Sequence, residues 1–322
     1  MILLNLILWI VTITLLGLSL ATAWWYKFWL FEIIGTGYLW FAGVTLLLWL
    51  SLFLVKPLRR KWSLQIVLAI ALIFYAQFTL SWYIPKFQDM KAGGTPVTAM
   101  TYNVNYQLWE TAAIVKLIRD YPADIFSLVE PTKEQAAELW NQVQDLYPHY
   151  YRATGGNLSL FSRYPIQTAR TDNLKSPHHS LFATLEIAGK PVQVIVVRPP
   201  APQNKNYFNR RNQVLRTLAA YTKQQKTPLI VMGDFNTTAW SFYLHEFTQR
   251  SRLRNAATGH GLHPTWYYAT SGKATPSTHK FFQFIKIPLD HILVSPNIRV
   301  EQVATAPPSV SDHRPLIAKL RV

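Results

Sequence analysis

The chain of 322 residues contains no cysteine. That excludes a disulfide framework, a thiolate metal centre and a cysteine nucleophile. Charge is scarce as well: 15% of residues are charged and 50% are hydrophobic, a split unlike that of an ordinary soluble enzyme. Acidic side chains are the scarcer sign, 16 Asp and Glu against 32 Lys and Arg, which leaves a net charge of +16. The chain shows no internal repeat, and beyond one short linker no low-complexity tract.

The scarcity of charge is local. Residues 2–26, 33–55 and 63–84 form three runs without a charged side chain. Each is long enough for a bilayer core of about 30 Å, which needs roughly 20 helical residues. Aromatics stand at their ends (Trp24, Trp25, Tyr26; Trp62; Trp82, Tyr83), as in interfacial belts. A cleaved signal peptide competes for the first run, but no basic segment precedes it and two further runs follow. Lys56, Arg59, Arg60 and Lys61 between the second and third runs place that loop in the cytoplasm; Lys27 and Glu32 lie between the first two.

The expected organisation is a three-span transmembrane anchor over residues 1–85 and a linker over 86–96. A globular domain over 97–322 then lies outside the cytoplasm, in a multi-pass cell-membrane protein. Residues 1–90 hold six Lys/Arg and two Asp/Glu, net +4; the remainder hold 26 and 14, net +12. A basic domain tethered to a bilayer favours polyanions, either nucleic acid or anionic lipid headgroups. A transporter is disfavoured, because the apolar runs carry no charge to line a path.

After the linker, strand and helix patterns mix. Strands are expected over 97–104, 125–129, 158–161, 181–187, 192–197, 229–232, 291–295, 300–306 and 316–322. Helices are expected over 111–119, 132–146 and 206–225. Thr132 and Gln135 have capping-box spacing, and Gly189-Lys190 turns a hairpin. Strand pairs interrupted by helices imply mixed sheets with helices outside, not a doubly wound parallel sheet. The helix over 206–225 carries Arg210, Arg211, Arg216 and Lys223, either as a phosphate-tracking face or as a solvated one. Trp240, Trp266, Tyr267 and Tyr268 read as base-stacking platforms or, more simply, as packing.

Five polar clusters stand at strand ends: Asn103/Asn105, Glu130, Asp234/Asn236, Asp290/His291 and Asp312/His313. Singly, each has a bland reading as a turn cap, a solvated terminus or a local ion pair. Acid, amide and imidazole together at strand ends are what metal-assisted phosphate ester cleavage needs. In order, Thr101-Tyr102-Asn103-Val104, Leu128-Val129-Glu130, Gly233-Asp234-Phe235-Asn236, Leu289-Asp290-His291-Ile292-Leu293 and Ser311-Asp312-His313-Arg314-Pro315 resemble the motif series of the endonuclease/exonuclease/phosphatase, DNase-I-like superfamily. Within it, the chain is similar to the bacterial membrane-anchored members with N-terminal spans.

The resemblance implies a four-layered α/β sandwich of two packed mixed sheets with outer helices, and a divalent cation, Mg²⁺ or Mn²⁺. It implies Glu130 as a metal ligand, with Asp312 near the metal or water and Asn105 where some members place a metal-contacting Asp. It also implies Asp234 as the group that orients or deprotonates water, with Asn103 and Asn236 holding phosphate and nucleophile. His313 would stabilise charge on phosphate, its tautomer fixed by Asp290. One position departs: Arg198, in Val196-Val197-Arg198-Pro199-Pro200, stands where many members have a His. A guanidinium can hold phosphate in bidentate fashion but cannot donate a proton at ordinary pH. His178 or His179 could compensate from a neighbouring loop. Two functions follow: a phosphodiesterase acting on nucleic acid or phospholipid headgroups, or a catalytically impaired polyanion binder of the same fold.

Overall fold

The computed structural model describes residues 2–24, 27–85, 93–176, 178–267 and 285–322. Four helices come first: α1 (Ile2–Trp24), α2 (Trp29–Gly35), α3 (Tyr38–Leu54) and α4 (Trp62–Thr79). Ile2–Ala21 and Trp62–Trp82 are long and apolar enough to cross a membrane. The expected single span over 33–55 is instead a bent pair, α2 and α3 meeting at 60°. The cause is local. Thr36 and Gly37 donate their backbone N–H groups three residues back, to Ile33 and Ile34, which closes α2 with tightened turns. The bend separates the apolar α3 from α2, which carries Glu32. Trp25, Tyr26 and residues 86–92 of the expected linker lie outside the described residues. By Thr95 the chain is already paired with Val322.

The strands that follow are apolar on both faces. In β1 (Pro96–Asn103), Val97 and Ala99 face one cluster, while Met100 and Tyr102 face another. The second cluster is the apolar side of α5 (Thr111–Asp120) and α6 (Lys133–Val143), with Ile114, Ile118, Leu139 and Val143. The same alternation divides β2 (Ile125–Val129) between Ile125 and Val129 on one side and Phe126 and Leu128 on the other. Strands covered on both faces read as continuous apolar runs, and that is why these were legible in the sequence.

Next come β3 (His149–Arg152), β4 (Leu158–Ser162), β5 (Ile166–Asp172), β6 (Ser180–Ile187), β7 (Lys190–Val197), α7 (Lys205–Lys223) and β8 (Leu229–Asp234). Then follow α8 (Phe242–Ser251), β9 (Arg254–Asn255), β10 (Trp266–Tyr267), β11 (Lys286–Ile287), β12 (Asp290–Val294), β13 (Arg299–Thr305) and β14 (Leu316–Arg321). One sheet has the order β13-β14-β1-β2-β4-β3 and the other β5-β6-β7-β8-β12-β9, with β10-β11 a separate ribbon. Each large sheet holds one parallel pair, β1 with β2 and β7 with β8, among antiparallel neighbours. The sheets pack on each other through the first cluster, α5 and α6 cover one outer face, and α7 lies on the other, where Tyr221 meets Phe182 of β6. The result is the expected sandwich of two mixed sheets with outer helices. The edge strands β3 and β5 were not expected: they are half-exposed and polar, so they lack an apolar run.

The topology sets the site. The parallel pairs bring the ends of β1, β2, β7 and β8 to one edge of the sandwich. The antiparallel partners β14 and β12 begin at that same edge, with Asp290 opposite Asp234 and Leu316 opposite Thr101.

Candidate active site

Four residues at the strand ends sit on unusual backbone. Asn105, Glu130 and Asn236 have φ of 46°, 69° and 47°, in the left-handed region. Asn tolerates it; for Glu130 it is strain, held by Glu130 N–H donating to Asn157 O at 2.9 Å. Gly233 has φ 143°, and a Cβ there would lie 2.0 Å from the carbonyl oxygen of Val197 on the parallel neighbour. Only glycine lets β8 approach β7 this closely and still deliver Asp234 to the edge.

Asn103 is buried at the end of β1, and its amide joins the two halves of the site. Its Nδ2 donates to Glu130 Oε1 at 2.9 Å and to Asp234 Oδ2 at 3.0 Å, one partner from each sheet. Asp234 also accepts from Asn236 N at 2.8 Å and Asn236 Nδ2 at 3.1 Å. Burial first, then the Asp290 carboxylate, pushes Asp234 up to about 7. Burial and the neighbouring carboxylate thus favour the protonated form of Asp234 more than water does.

His313 Nδ1 meets Asp290 Oδ2 at 2.7 Å. Both side chains are buried. Burial pushes the imidazolium of His313 down, but the charge and hydrogen bond of Asp290 reverse this and lift it to about 10. The pair fixes the ring orientation and leaves Nε2 as its remaining donor. Asp290 Oδ1 has no hydrogen-bond partner among the described residues. Asp290 is positioned by its N–H and that of Leu289, both donating to Thr265 Oγ1.

Asp312 accepts from Asn105 Nδ2 at 3.0 Å and from Trp266 Nε1 at 3.0 Å. Ser311 Oγ donates to Asn103 O at 2.7 Å and ties the 311–313 turn to β1. Thr265 escaped the sequence reading, because its hydroxyl acts on the backbone of a segment distant in sequence, a contact that leaves no local pattern. Of the proposed stacking aromatics, Trp240 is buried in the packing, Trp266 holds Asp312, and Tyr267 lies under the Arg314 guanidinium at 4.1 Å. Tyr268 lies outside the described residues. The neighbouring His291 is a structural residue: burial pushes it down to about 4, and it bonds Asn255 and Thr237 O.

Arg198 stands directly after β7 and reaches Glu130 Oε1, Nε at 2.8 Å and Nη2 at 2.5 Å. His178 is half-buried, and its Nε2 has no hydrogen-bond partner among the described residues. Burial, then the guanidiniums of Arg210 and Arg198, pushes it down.

Among the described residues no three His, Asp or Glu side chains group as a metal site. A magnesium-like ion needs only one or two carboxylates besides water and substrate oxygens. Glu130 meets that requirement: Oε1 is shared by Asn103 and Arg198, while Oε2 accepts no hydrogen bond among the described residues. The donor set therefore fits a hard cation held chiefly through Glu130. The hydrogen bonds link Asn105 with Asp312 and Asn103 with Glu130, leaving these as two neighbouring groups of donors. A cavity of about 680 Å³ lies elsewhere, between the end of α4 and α8.

No curated protein matches the sequence. Solved structures share the fold at low identity. Beta toxin from Staphylococcus aureus aligns at 15% identity over 69% of this chain and 99% of its own, TM-score 0.55. Sphingomyelinase C from Streptomyces griseocarneus aligns at 15% over 70% and 99%, TM-score 0.54. TDP2 from D. rerio, in complex with a single-strand DNA product, aligns at 13% over 71% and 100%, TM-score 0.57. A profile of the Endonuclease/Exonuclease/phosphatase family matches residues 100–313, from the strand that carries Asn103 to His313 itself. With the two-sheet sandwich and the residues converging at its edge, that match places the chain in the Endonuclease/Exonuclease/phosphatase family.

Proposed function

We propose that the protein is a membrane-anchored phosphodiesterase that works with a divalent cation, magnesium or manganese. The observation that carries this reading is Asn103 bridging Glu130 and Asp234 across the two sheets, beside the buried Asp290–His313 pair. Asp234 takes a proton from water, and the resulting oxygen attacks phosphorus in line. The ester bond opposite breaks, and its oxygen is reprotonated from solvent. His313, kept protonated by Asp290, donates to a non-bridging oxygen as negative charge grows there. Asn103 and Asn236 hold Asp234 and orient the phosphate. A cation on Glu130, with Asn105 and Asp312 nearby, supplies Lewis-acid charge stabilisation when bound.

Several features support the membrane setting. Two helices and one bent pair have spanning length and composition. Gly35 and Trp82 both touch the catalytic domain, which supports placing them on its side of the bilayer. The basic surface suits nucleic acid or a phospholipid headgroup. Among the proteins of similar structure, TDP2 is in complex with a single-strand DNA product and another is a sphingomyelinase.

The test is a panel of bis(p-nitrophenyl) phosphate, DNA, RNA and phospholipid vesicles, with and without magnesium or manganese. Turnover of at least one is expected, and Asp234→Asn and His313→Ala should each lower it by about a hundredfold or more. Unchanged metal-dependent hydrolysis in both variants sinks the assignment. The Arg198–Glu130 pair favours a second reading, an impaired polyanion binder. Tight binding of DNA without turnover, and turnover gained in Arg198→His, would establish that alternative.

A further inference from the structure

Arg211 lies in the middle of α7 and is fully buried. Its Nη1 donates to Asn236 O at 3.1 Å, on the site loop. Its Nε and Nη2 go to Asn212 Oδ1 at 3.0 and 2.8 Å, and the rings of Phe208 and Tyr243 flank it. The carboxylate that neutralises it comes from outside the sandwich. It is Glu32 of α2, in the N-terminal anchor, with Oε1 at 2.8 Å.

Glu32 does more than balance charge. The same Oε1 accepts from Ser241 Oγ at 2.8 Å and from Thr237 Oγ1 at 3.3 Å. Ser241 is the N-cap of α8, so the carboxylate grips both ends of the loop that leaves β8. The backbone carbonyl of Gly35 accepts from Trp240 Nε1 at 2.7 Å, and Tyr38 stacks on that indole. Residues 236–241 are thus built on the anchor. They begin with Asn236, whose left-handed backbone puts its N–H and its Nδ2 on Asp234.

We propose that Glu32 is a positioning residue for the active site: from the membrane anchor, through Arg211, it holds the Asn236 peptide that orients Asp234. A buried guanidinium without its carboxylate is strongly unfavourable and seeks water. Losing Glu32 therefore frees Arg211 and, with it, the Asn236 carbonyl. The anchor is then part of the catalytic unit as well as a tether. The effect on turnover rests on the phosphodiesterase reading above; the effect on loop order does not.

The experiment uses the full chain in nanodiscs. Glu32→Gln keeps the shape and an accepting oxygen, so it is the variant least prone to misfold; Glu32→Ala is the harsher one. Leu47→Ala, on the exposed face of α3, is the control. Hydrogen exchange is read over residues 234–241, and kcat and KM are read on bis(p-nitrophenyl) phosphate. Glu32→Gln should speed exchange there and lower kcat by about tenfold or more with KM within about twofold, the signature of misplaced groups. Leu47→Ala should change neither. If the wild type shows no turnover, the phosphodiesterase reading fails and the exchange result alone decides the proposal. Wild-type protection over 234–241 in Glu32→Gln overturns it, as does a lower melting temperature with kcat unchanged.

Discussion

Gly233 is where a single residue decides whether the Asp234 carboxylate reaches its place. A Cβ there would overlap the Val197 carbonyl at 2.0 Å on strained backbone, and neither strand can retreat without opening the parallel pair. Gly233→Ala should cost about 3 kcal/mol or more and abolish turnover, read by thermal melting and by activity. His291 makes a second prediction, on pH. Its folded pKa is depressed from 6.5 to about 4 by burial. Between those values the unfolded chain binds a proton that the folded chain refuses, so stability rises with pH across the window. The contribution is complete above pH 6.5 and lost as pH falls toward 4, about 3 kcal/mol in all. Melting temperatures should fall over that window, and His291→Gln should flatten the dependence.

At the scale of elements, α6 shows how local chemistry defines a boundary. Thr132 Oγ1 accepts from Gln135 N at 3.2 Å, and Gln135 Oε1 accepts from Thr132 N at 2.9 Å. The capping box was legible in the sequence because both partners lie within one turn. Thr132→Ala should cost about 1 kcal/mol, measured by denaturant titration, with KM unaffected. The β1, β2 and β8 strands were legible for a similar reason: burial on both faces writes a continuous apolar run ending in a polar residue. The edge strands β3 and β5 were not, since their half-exposed positions carry Tyr, Arg, Thr and Gln. The kink after Gly35 was not read from the sequence either, because Gly35-Thr36-Gly37 interrupts the run without adding a charge.

For the whole molecule, the N-terminal helices and the sandwich share one hydrophobic cluster, in which Tyr38, Tyr75 and Trp82 join the strands of the second sheet. The proposed outward placement of the domain predicts the behaviour of fusions made after Pro85. A reporter that matures only outside the cytoplasm should be active there, and one that needs the cytoplasm should be silent; the reverse pattern places the domain inside.

The sequence by itself determined the apolar N-terminal runs, the order of the motifs and the family to which they belong. These are written in short runs whose polarity follows from burial and whose spacing follows from strand and helix period. The tertiary structure decided what those residues do to one another. Asn103 meets Asp234 across 131 positions, and Arg211 meets Glu32 across 179. Such pairs leave no local pattern, because each is made by the packing of two sheets or of a sheet layer on the anchor. Only the packed chain shows Arg198 seated on Glu130, and Glu32 of the N-terminal α2 reaching the loop that follows Asp234.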